Sequence, residues 1–176
     1  GGRAVISSTQ CHDCDWGVLV MGKGSKLVAT ASALHACQSH CLLVWKSAVA
    51  TLSSGCTIGG SKEGMGVAVA DHSVVNATDT TIGNTHHHNL QALDGTTLHL
   101  TRCASHHSET GANWAVDGRS TLVAAHCNVC GERSGLTSMF SIRGKEGMET
   151  QSSVMISNGS TAELSHCQVI GAVASG

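Results

Sequence analysis

The chain has 176 residues, with ten Lys and Arg against twelve Asp and Glu and a formal net charge of −2. No basic run or basic-aromatic patch occurs, which excludes the electrostatic footprint of a nucleic-acid binder, and the longest apolar runs, such as residues 41–45, are far too short to cross a bilayer. With no Pro, no Tyr, one Phe and three Trp but 21 Gly, small and β-branched side chains must fill the interior, which implies thin layers packed many times over.

Along the chain, a degenerate first unit precedes Trp16. A turn-like Ser or Thr then recurs at Ser25, Ser47, Ser73, Thr96, Ser120 and Ser160, at intervals of 22 to 26 residues except the last, which is 40. Four residues before this anchor stand Met21, Leu43, Val69, Ala92, Val116 and Ile156; two after it stand Leu27, Val49, Val75, Leu98, Leu122 and Ala162. Seven after it come Ser32, Ser54, Thr80, Cys103, Cys127 and Cys167, and nine after it Leu34, Cys56, Ile82, Ser105, Val129 and Val169. Mostly polar residues separate these columns, and alternation with period two means strands with one face inward. Each unit therefore holds a leading strand before the anchor, a middle strand after it and a trailing strand.

Three short strands cannot bury their inner faces alone, so successive units must stack, each strand pairing with its equivalents at a rise of about 4.8 Å. The expected fold is all-β: a right-handed parallel β-helix of about seven coils of 22–26 residues, one domain over residues 1–176. Residues 131–152 read as an inserted charged loop that carries the only Phe. A pattern running to both ends leads us to expect a segment of a longer protein.

The Gly-x-x-x-x-Asp/Asn-Gly-Ser turn and the three-strand coil, over residues 3–176, resemble the parallel β-helix repeats of the pectate-lyase-like group, found in carbohydrate-binding and sugar-hydrolysis domains. That resemblance implies either a polysaccharide lyase or glycoside hydrolase, or a non-catalytic interaction module; a fold alone does not choose between them. The enzymes of the group carry carboxylates and a catalytic Arg or His on and beside the leading strand. Here the expected outward row of that strand is Val20, Gly22, Leu42, Val44, Ala68, Ala70, Gln91, Leu93, Ala115 and Met155, without a carboxylate. The Asn-Thr-Asp, Asp-Asp and Gly-His-Gly signatures of the group are missing too. An apolar ribbon of this kind marks protein contact. The expected function is thus a non-catalytic scaffold that binds a protein partner or a second copy through Val20, Leu42, Val44, Ala68, Ala70, Gln91, Leu93 and Met155, with glycan as a second ligand class and the enzyme as the alternative.

Asp71, Asp94, Asp117 and Asn158 recur just before the anchor and read as a structural ladder, because Asp-Gly and Asn-Gly supply the left-handed backbone of a tight turn. His and Cys crowd the turn after the trailing strand. No cofactor is expected, but Cys11–Cys14, Cys37–Cys41 and Cys127–Cys130 are spaced loosely like zinc ligands, and Cys14, Cys37 and Cys41 form the set that would hold Zn²⁺ or Cu⁺ between the first two coils. Cys103, Cys127 and Cys167 read as an internal column of free thiols, small and apolar. Nine cysteines, an odd number not spaced like a disulfide framework, favour a reducing compartment.

Overall fold

The computed structural model describes residues 1–131, 152–170 and 172–175, with side chains for 1–131 and 153–170. Among these residues there is no helix, and the strands wind as a parallel β-solenoid with three sheets. The middle sheet stacks Arg3–Ser7, Lys26–Thr30, Val49–Ser53, Val74–Thr78, Thr97–Thr101, Thr121–Ala125 and Thr161–Ser165. The trailing sheet stacks Gln10–His12, Ala33–His35, Thr57–Gly59, Thr81–Thr85, Ala104–Ser108, Asn128–Cys130 and Gln168–Ile170. The leading sheet stacks Val18–Met21, Leu42–Trp45, Val67–Val69, Leu90–Ala92, Trp114–Val116, Ser152–Ile156 and Ala172–Ser175. Each sheet has seven strands, of which the two outermost are edges, so about five turns, rather than the expected seven, are stacked on both sides. The insertion expected over 131–152 falls, apart from its ends, outside the described residues.

The core is a set of columns. Val69, Ala92 and Val116 lie one above another in register, as do Leu98 and Leu122, and all five are essentially inaccessible to solvent. Between columns the chain must turn a corner, and a corner breaks the strand ladder and leaves backbone N–H groups to be satisfied. Inward Ser, Thr and Cys side chains meet them. Ser73 Oγ accepts from Ala48 N at 3.2 Å, Ser120 Oγ from Thr96 N at 3.2 Å and Ser160 Oγ from Ser120 N at 3.0 Å. At the next corner Ser32 Oγ accepts from Thr9 N at 3.2 Å, Cys127 Sγ from Cys103 N at 3.4 Å and Cys167 Sγ from Cys127 N at 3.4 Å. The same groups donate back to a carbonyl two residues earlier, as Ser32 does to Thr30 and Cys127 to Ala125. A thiol here replaces a hydroxyl in one structural role.

A third column closes the corner between trailing and leading sheets. Asn89 Nδ2 donates to His106 O at 3.0 Å, Asn113 Nδ2 to Cys130 O at 3.1 Å, Ser153 Oγ to Ile170 O at 2.6 Å and Cys41 Sγ to Gly59 O at 3.2 Å. Asn89 also bonds the side chains of Thr85, Ser105 and Asn113. Buried amides that satisfy one another define register instead of costing stability.

Two corrections concern register. In the second coil Val49 pairs with Lys26 and Val74, so the inward anchor is Ala48 and not Ser47. Lys46 and Ser47 are both turn residues, each at φ 57°. The inner column of the leading sheet is accordingly Val20, Val44, Val69, Ala92 and Val116. Met21 and Leu43, expected inside, face outward. The first coil keeps Val20 inside by an extra turn residue in Gly22-Lys23-Gly24. A shift of one residue exchanges the two faces of a strand, and Val18–Met21 and Leu42–Trp45 are apolar throughout, so hydrophobicity does not choose between the faces. The trailing sheet shows a similar slip: Ile58 pairs with Leu34 and Ile82, which puts Cys56 with Ser32 and Thr80.

The tight turn before the anchor is a pair of left-handed residues, Asp71-His72, Asp94-Gly95, Gly118-Arg119 and Asn158-Gly159, as a two-residue turn with positive φ at both positions requires. Asp117 stands one place earlier than Asp71, Asp94 and Asn158, and its Oδ1 accepts from Gly118 N at 2.7 Å and from Asn158 Nδ2 at 2.6 Å.

Leu122 lies in the middle of the core column. Replacing it by Ala should lower the unfolding free energy by about 2–5 kcal/mol, measured by urea titration with circular dichroism; a change under about 1 kcal/mol would contradict the packed-column description.

Candidate functional site

The outer face of the leading sheet follows from the corrected register. Leu19 pairs with Leu43 and Met21 with Trp45, which makes a two-by-two apolar block on adjacent strands. Leu19 is 52 %, Met21 47 % and Trp45 38 % exposed. Trp16, just before the strand, is also exposed and stacks on His40 with ring centroids 5.1 Å apart, while Lys46 Nζ lies 4.3 Å from the Trp45 ring. Further along the face come Ala68, Ala70, Gln91, Leu93, Ala115 and Met155, small or half-buried side chains. Of the residues expected on this face, Val20, Leu42 and Val44 are buried in the core; Ala68, Ala70, Gln91, Leu93 and Met155 lie on the outward row. Asp117, in register with Ala70 and Leu93, is the one carboxylate at these outward positions among the described residues.

A second feature lies on the trailing sheet. Its second outward position is occupied by His12, His35, Gly59, Gly83, His106 and Cys130 in successive coils. His12 and His35 stack with centroids 5.4 Å apart. The two glycines interrupt the row and open a groove of about 320 Å³, walled by His35 and His106 and floored by Thr57, Ile58, Gly59 and Thr81. Neither can be replaced easily: a Cβ on Gly59 would lie 1.6 Å from Gly83 O, and one on Gly83 would lie 2.4 Å from His106 O. The available signal was the register of Gly59 and Gly83 with the histidines, and reading it required the corrected spacing of the second coil.

The third feature is the Cys and His corner between trailing and leading sheets. Cys11 Sγ lies 3.7 Å from Cys14 Sγ, which lies 3.6 Å from Cys37 Sγ. Burial pushes the Cys11, Cys37 and Cys41 thiols up. Cys14, Cys37 and Cys41 are the residues whose spacing suits a metal ion. Cys41 donates to Gly59 O and Cys37 to His35 O, and among the described residues no group of three or more His, Cys, Asp or Glu side chains is disposed to hold one. The histidines bond locally, His86 Nδ1 to Glu109 Oε2 at 2.8 Å and His87 Nδ1 to Thr110 Oγ1 at 2.9 Å. The cysteines of the core columns, Cys103 and Cys127, are buried, free and bonded to backbone groups.

No protein-family model, curated protein or solved structure matches this chain. No helix is long and apolar enough to cross a membrane among the described residues.

Burial pushes the imidazoles of His40 and His88 below the usual value, with a smaller contribution from His87, and His88 Nδ1 accepts from Ala112 N at 2.9 Å. A depressed folded-state pKa contributes stability above the unfolded-state value, about 6.5, and loses it as pH falls below that value. The thermal midpoint should therefore drop between about pH 7 and pH 5, and His88→Gln should flatten that dependence; parallel curves for the two proteins in scanning calorimetry would refute the assignment.

Proposed function

We propose that this chain is a non-catalytic β-solenoid scaffold that binds protein, a second copy of itself in the first instance, through the outer face of the leading sheet. The observation that carries this reading is the block of Leu19, Met21, Leu43 and Trp45, three of them well exposed, on a rigid stack of paired strands. Contiguous exposed apolar side chains of this size mark interaction sites, and Trp is enriched where binding energy concentrates. The enzyme reading, a polysaccharide lyase or hydrolase of the pectate-lyase-like group, needs convergent acid-base groups beside the leading strand. Among the described residues the outward positions offer one carboxylate, Asp117, already bonded to Gly118 N and Asn158 Nδ2, beside the neutral Gln91 and Ser157. No cofactor enters the proposal.

In analytical ultracentrifugation across a concentration series, the wild-type chain should show reversible self-association. The double variant Leu19→Lys/Trp45→Lys changes only exposed side chains and should sediment as a monomer. A wild-type chain that stays monomeric, or a variant that associates equally well, would refute the proposal.

One observation favours a glycan as second ligand class. The groove is lined by His35, His106, Thr57 and Thr81, side-chain types that stack on and hydrogen-bond a ring with hydroxyl groups. On a glycan array, His35→Ala and His106→Ala should each lose at least about tenfold in signal, the equivalent of about 1.4 kcal/mol, on whichever glycan the wild type retains; no retained glycan, or retention unaffected by both changes, would remove this ligand class.

A further inference from the structure

The corner between the first two coils holds neighbouring thiols of which Cys11 and Cys14 are partly open to solvent, whereas the stacked Cys103 and Cys127 of the core column are buried. Gln38 N donates to Cys14 O at 2.8 Å, so Cys14 and Cys37 occupy equivalent places in successive coils. Equivalent positions are one strand spacing apart, about 4.8 Å, inside the Cα span of about 4.4–6.8 Å that a disulfide bridges. Their sulfurs are already 3.6 Å apart, and Cys11 Sγ is 3.7 Å from Cys14 Sγ on the other side. Asp13, at φ 53°, makes the tight bend that brings Cys11 and Cys14 together. Access is graded: Cys11 and Cys14 are partly exposed, whereas Cys37 is fully buried.

We propose that Cys14 and Cys37 form a redox-active dithiol that closes to a disulfide between the first and second coils on meeting a low-molecular-weight disulfide such as oxidised glutathione. The Cys14 thiolate attacks one sulfur of the reagent, forming a mixed disulfide and releasing one equivalent of the reduced thiol. The Cys37 thiolate then attacks the Cys14 sulfur and releases the second equivalent. Two protons and two electrons leave the protein pair, and the reagent is reduced to two thiols. Cys14 is the entry point because it is the thiol within reach of both solvent and Cys37. Burial of Cys37 raises its pKa, so the closing step accelerates with pH. Cys41 keeps its bond to Gly59 O and takes no part. Cys103 and Cys127 are sealed in the core and serve as internal controls. This inference stands apart from the proposed protein-binding face, and its readout is covalent.

The test is oxidation of the intact folded chain with glutathione disulfide at about pH 8, alkylation of the remaining thiols in denaturant, and non-reducing peptide mapping by mass spectrometry. The expected product is a single linkage joining the Cys14 and Cys37 peptides, reversible by dithiothreitol, with Cys103 and Cys127 alkylated. Cys37→Ser should stop at a glutathione adduct on Cys14. Cys11→Ser, which alters a partly exposed side chain, should still give the Cys14–Cys37 linkage and keeps the test decisive if Cys37→Ser fails to fold. A Cys11–Cys14 linkage, a persistent adduct in the wild type, or unmodified thiols throughout would each overturn the proposal.

Discussion

Everything in this molecule depends on how the chain turns its corners. Strands stacked in register satisfy their backbone groups through the strands above and below, but each coil must bend three times, and at every bend the ladder is interrupted. The protein meets the N–H groups stranded there with short polar side chains pointing inward: Ser73, Ser120 and Ser160 at one corner, Ser32, Cys127 and Cys167 at the next. Where Asn89 and Asn113 stand at the third corner, the bonded group is a trailing-strand carbonyl. Replacing one of these polar residues by an apolar one removes that partner, which is costly; where Ala48 takes the place in the second coil, Ser25 N bonds Gly22 O instead. The richness of the chain in Ser, Thr and Cys, with so few aromatics, is the compositional result.

That constraint also separates seven of the nine thiols into two kinds. Cys41, Cys103, Cys127 and Cys167 bond backbone atoms at corners and behave as hydroxyl substitutes. Cys11, Cys14 and Cys37 meet sulfur to sulfur. Spacing alone groups Cys14 with Cys37 and Cys41 as ligands, and in the structure Cys41 and Cys37 each donate to a carbonyl group. Proximity along a solenoid axis brings like residues together for packing more often than for chemistry, and the bonds each one makes tell the two apart.

The two exposed features owe their existence to rigidity. The edge strand Val18–Met21 pairs with Leu42–Trp45, which is itself paired on both sides, and this holds Leu19, Met21, Leu43 and Trp45 in fixed relation on the outer face. The groove on the trailing sheet exists for a related reason: backbones at Gly59 and Gly83 approach so closely that no side chain fits, and a gap two coils wide opens in a row of imidazoles. Both surfaces are consequences of register, and neither resembles an acid-base site.

Repetition was legible from the sequence by itself, because period-two alternation and a recurring hydroxyl leave stacked parallel strands as the way to bury every inner face. The columns through Val69, Ala92 and Val116, the turn pairs at Asp71, Asp94 and Asn158, and the outward placement of Gln91 all stand in coils whose strands alternate cleanly. Only the tertiary structure decided the faces of the first two leading strands. Val18–Met21 and Leu42–Trp45 are apolar at every position, and Ser47 imitates an anchor that is really Ala48. Which side of such a strand faces inward is settled by its neighbours, since hydrogen bonds to the coil above fix a register that hydrophobicity leaves open.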